Sequence, residues 1–114
     1  MNTPSQVIQS LQDIQTEMAR GLGVLYDSEV KLADAENHYE KTLQLAFINA
    51  QGTVADRTAV SRLQAADARL EADLAKATYN RVKTKLKQLE LAQMSTQTAA
   101  RMIETEIKTL GRAG

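Results

Sequence analysis

AADARLEADLAKATYNRVKTKLKQLE, residues 65–90, is the stretch that decides the fold. In it Ala65, Ala68, Ala72, Ala75, Tyr79, Val82, Leu86 and Leu89 recur at alternating spacings of three and four, the period of a helix that lays one apolar seam along a partner. Neither proline nor glycine occurs between Val60 and Leu110, which predicts a continuous helix of about 50 residues, about 75 Å long at 1.5 Å per residue. Such a helix buries its seam only against another. A second stripe, Leu63, Leu70, Leu74 and Ala77, makes the early part apolar on two faces and predicts more than one packing partner. Gln93 and Thr96 interrupt the seam before Ala100, Ile103, Ile107 and Leu110 restore it. The polar run QMSTQT, residues 93–98, is therefore either a bend where the helix folds back or a register device within a coiled coil.

Upstream, Thr53 and Asp56 have the spacing of a capping box, so a turn ends at about Gly52 and a new helix starts there. The helix before it carries Leu32, Ala35, Tyr39, Leu43, Ala46 and Ala50 on one face with Phe47 alongside, and Asp27 or Ser28 is its expected cap. Thr3 and Pro4 suit an N-cap and first helical residue, and Val7, Leu11, Ile14 and Met18 follow at helical spacing. Gly21 and Gly23 lie so close together that they predict a bend. The expected architecture is all-α and elongated: a short N-terminal amphipathic helix and glycine bend over residues 1–23, then a coiled-coil-like helical hairpin over 24–114 with a long basic, alanine-rich arm.

Aromatic residues are too few for an ordinary globular core: Phe47 is the sole phenylalanine, Tyr26, Tyr39 and Tyr79 are the tyrosines, and tryptophan is absent. Slim helices therefore have to pack side by side, between subunits as well as within one, which makes a homo-oligomer the expectation. Tyr79, Val82, Leu86, Leu89, Ile103 and Ile107 are the expected oligomer interface. The absence of cysteine excludes disulfides and thiolate metal sites and favours an intracellular life. No run approaches the roughly 18 apolar residues that span a bilayer, and MNTPSQVIQ lacks a signal peptide's basic start and apolar centre. The expected location is cytoplasmic, with no membrane partner.

Formal charge sums to zero, yet residues 1–50 carry a net −4 and residues 51–114 a net +4. The positive excess is densest in YNRVKTKLKQL, where Arg81, Lys83, Lys85 and Lys87 fall within seven residues. At 100° per residue Lys83 and Lys87 lie on one side of the Tyr79–Leu89 seam, and Lys85 and Arg81 on the other. Two readings stand. The bases reach across to Glu29, Asp34, Glu36 and Glu40 on a neighbouring helix, or, with Lys76, they form a positive surface that binds the phosphates of single-stranded nucleic acid by counterion release. Arg57, Arg62 and Arg101 are further candidates for such a surface, and Tyr79 is a stacking candidate whose place in the seam favours burial. Catalysis finds no support: His38 beside Glu36 and Tyr39 has no nucleophile or orienting partner, and the nearest acid pairs are two residues apart and diverge on a helix. Gly21-Leu22-Gly23 lacks the lysine and spacing of a phosphate-binding loop. No catalytic residue, metal ligand or cofactor is expected.

The order of LAFINAQGTVADR, then AADARLEADLAKATYNRVKTKLKQLE, then a polar break and ARMIETE, resembles the UvsY-type recombination mediators of bacteriophages and the small helical proteins of phage recombination modules. The resemblance covers most of the chain. It implies a non-enzymatic, multi-subunit helical protein of the host cytoplasm that binds single-stranded DNA. Such a protein helps load a strand-exchange recombinase onto strands coated by single-strand-binding protein. On this chain the role falls on Lys83, Lys85 and Lys87, and overall neutrality leaves binding weak and dependent on several copies. The alternative is a coiled-coil protein-binding adaptor, a phage assembly chaperone or inhibitor of a host factor, in which the bases pair with acids and no nucleic acid is bound.

Overall fold

In the computed structural model, which describes residues 3–113, every element is helical: α1 (Pro4–Asn49), α2 (Val54–Gln64) and α3 (Ala66–Ala113). The expected all-α helical hairpin is what forms. Its first turn is set by Thr3, whose hydroxyl accepts from the Gln6 amide while the Gln6 side chain accepts from the Thr3 amide, ahead of Pro4.

The short N-terminal helix and its glycine bend do not occur, because α1 runs unbroken through Gly21 and Gly23. Gly21 falls on the helix's contact face, in step with Met18 and Leu25, where a Cβ would stand 2.5 Å from Cδ2 of Leu86. There glycine admits a neighbouring helix rather than breaking its own, and packing overrides its low propensity. Asp27 and Ser28 likewise cap nothing. Ser28 is buried in the same face and its hydroxyl donates to the Leu25 carbonyl.

The chain between α1 and α2 turns at Gly52, whose φ of 109° is open to glycine without strain. Both halves of the Thr53–Asp56 capping box are made, at 3.2 Å each. The long helix expected from Val60 is divided at Ala65, which is wholly buried with φ −91° and ψ 3°. The i to i−4 ladder carries through it, from the Ala65 amide to Ser61 and from the Arg69 amide to Ala65. Just before it the Thr58 and Ser61 hydroxyls donate to the carbonyls of Val54 and Thr58, a back-bonding that bends helices. No fold-back occurs at residues 93–98: α3 continues, and the Thr96 and Thr98 hydroxyls return to carbonyls one turn earlier.

Two compact units share these helices. The unit of residues 24–82 joins the second half of α1 to α2 and the start of α3, and holds Ser28, Ala46, Ser61, Ala65, Ala68 and Ala72 in its interior. The other, residues up to 23 with those from 83, sets the start of α1 beside the rest of α3, with Val7 buried and Leu11, Ile14, Met18, Val7's neighbour across the groove Ile103, Leu86 and Leu89 half-buried.

Candidate nucleic-acid interface

Five of the cations expected to carry function, Lys76, Arg81, Lys83, Lys85 and Lys87, project from α3 and are exposed. The helix holds them in place by its own periodicity. Tyr79, Val82, Leu86 and Leu89 are the half-buried residues of this segment, so the phase inferred from spacing is the phase the structure adopts, and the bases flank it on both sides.

The two readings of the basic stretch differ in which partners these cations have. Among the described residues, Lys76, Arg81, Lys85 and Lys87 have no carboxylate within 4.0 Å. Lys83, with Tyr79, Asn80 and Thr84, does engage a partner. Lys76 shares an open groove with Glu36 and Glu40 of α1 and Asp73 of its own helix, lying across from the acids without closing on them. The ion pairs Arg69–Asp73 at 4.0 Å and Lys108–Glu104 at 3.2 Å are both exposed i, i+4 pairs within α3, the kind that contributes about 0.3–0.5 kcal/mol. Pairing to acids on the neighbouring helix therefore leaves most of this positive charge uncommitted.

Arg57 departs from expectation. Its Nε donates to the Phe47 carbonyl at 3.1 Å, its Nη2 reaches the Ile48 carbonyl at 3.5 Å, and its guanidinium lies 4.6 Å from the Phe47 ring centroid. These are carbonyls that the end of α1 leaves without helical donors, so Arg57 fastens the turn and is withdrawn from any phosphate surface. Arg62 stays exposed at the rim of a cleft lined by Leu43, Phe47 and Ile48, and Arg101 is exposed on α3. Tyr79 is half-buried in the seam and has a partner within the chain. Arg69, 4.0 Å from Asp73, recurs with Lys76 and Lys83 at seven-residue intervals on α3, a heptad phase already present in the sequence.

Most of the residues expected at a subunit interface are half-buried within the chain itself. Leu86 abuts Gly21 of α1, and Ile103 and Ile107 border a groove with Pro4, Val7 and Ile8. Tyr79, Val82 and Leu89 are half-buried in the same phase, whereas Ile107 is 58% exposed. A hairpin satisfies the seam intramolecularly, so its periodicity alone no longer demands a second copy.

Among the described residues no group of three or more histidine, cysteine, aspartate or glutamate side chains is placed to hold a metal ion, and no helix is long and apolar enough to cross a membrane. Comparison with protein-family models, curated proteins and solved structures gives no match to this chain.

Proposed function

We propose that the chain is a non-enzymatic, self-associating helical protein that binds single-stranded DNA and serves as a recombination mediator, in keeping with its resemblance to the UvsY-type proteins. The observation that carries this reading is the exposure of Lys76, Lys85 and Lys87 with no carboxylate within 4.0 Å among the described residues. Phosphates supply the missing anions. Binding draws its free energy from counterions released by the strand and scales with the number of contacts. Because the cations lie on two sides of one helix, a strand meets only some of them in each copy. Several copies along a strand then raise the affinity through effective concentration, which is how a chain of zero net charge holds DNA. Recruitment of a strand-exchange protein onto the coated strand is the role the resemblance adds.

Fluorescence anisotropy with a labelled single-stranded oligonucleotide tests this. The reading expects binding at low salt, and a Kd at least tenfold weaker, about 1.4 kcal/mol, in the Lys85→Glu/Lys87→Glu variant with helicity unchanged. Absence of association at low salt would remove it. The protein-binding adaptor would then stand, a reading favoured by the exposed apolar stripe of Leu63, Leu70 and Leu74.

A further inference from the structure

The second stripe remains unburied after the hairpin has formed: Leu63 is 79% exposed, Leu70 57% and Leu74 59%. On α3 it runs Asp67, Leu70, Leu74, Ala77, Arg81 at spacings of four and three, roughly opposite the face that meets α1. It is thus a second coiled-coil seam, and what fits it is another helix.

Its charges identify that helix. The stripe on α3 contains one acid and one base, Asp67 and Arg81, each seven residues from Leu74. Both are exposed, and among the described residues neither has an ion-pair partner. If the stripe meets a copy of itself running the other way, with a two-fold axis at Leu74, the two Leu74 side chains meet. Leu70 then faces Ala77 of the second copy, and Asp67 meets Arg81 at both ends. A two-fold contact has to be self-complementary in this sense, residue for residue.

We propose that a second copy of this chain docks antiparallel on the Asp67–Arg81 face of α3, with Leu74 at the two-fold axis and reciprocal Asp67–Arg81 pairs closing the contact. This supplies the contact for the self-association in the reading above and needs no nucleic acid, so the two fail separately.

The test is mass by light scattering and sedimentation on the whole chain without oligonucleotide, with helicity followed by circular dichroism. Wild type is expected at about 25 kDa, twice the chain mass, and Leu74→Asp at the chain mass of 12.5 kDa with the same helicity, since Leu74 is exposed within one copy. Asp67→Arg sets like charges together and weakens dimerisation at least tenfold, about 1.4 kcal/mol; Asp67→Arg/Arg81→Asp restores it. A wild type that stays at the chain mass would overturn the proposal. So would an assembly indifferent to Leu74→Asp, or a charge reversal that fails to restore the dimer.

Discussion

The two units solve one packing problem in different ways. In residues 24–82 every described buried residue is small, Ser28 and Ala46 on α1 and Ser61, Ala65, Ala68 and Ala72 from α2 into α3, with the larger Leu32, Tyr39 and Leu43 of α1 half-buried around them. In the other unit the close contact sets glycine against leucine: α1 offers Gly21 and α3 offers Leu86. Each arrangement brings backbones near, but they differ in what they tolerate. An alanine face has no side-chain length to rearrange, whereas a leucine methyl opposite a glycine moves by a rotamer.

That difference ranks substitutions. Ala65→Leu, at a wholly buried site, should have the largest effect, destabilising by about 3 kcal/mol in urea unfolding. Leu86→Ala, on the half-buried side, should cost about 1.5 kcal/mol; if it costs more than Ala65→Leu, the ranking of the two regions is wrong. Arg57→Ala removes two carbonyl contacts and the ring contact at the turn, and about 1 kcal/mol with faster amide exchange near Asn49 and Ala50 is expected. The smallest effect separates the two helical glycines. Gly23→Ala meets open space and should stabilise by about 0.8 kcal/mol, whereas the same change at Gly21 should lose that gain against Leu86 and recover it in a Leu86→Ala background.

The seam was legible because helical period survives whatever the residues are: alanine, tyrosine and leucine keep one phase from Ala65 to Leu89. The capping box was legible because it is local, four residues satisfying each other's backbone. Gly21 was misread for the complementary reason. A glycine that breaks a helix and one that admits a neighbour look alike in one dimension, and only Leu86, far along the chain, tells them apart. The division at Ala65 was hidden too, since alanine is the strongest helix former and the departure arises where burial meets hydroxyl back-bonding. Arg57 read as one more cation because its partners are carbonyls, which carry no side-chain signature. The basic face itself was visible, but whether acids had claimed it depended on distances across α1 and α3.

The account turns on those unclaimed cations, and the salt dependence of oligonucleotide binding measures them most directly. For single strands each phosphate contact adds about 0.7 to the slope of log affinity against log salt. Because Lys85 and Lys87 lie on opposite sides of the seam, a strand meets one of them in each copy, and Lys85→Glu/Lys87→Glu should therefore lower the slope by about 0.7 per copy bound. An unchanged slope in that variant, or no binding by the wild type at low salt, would contradict the assignment of this face to DNA.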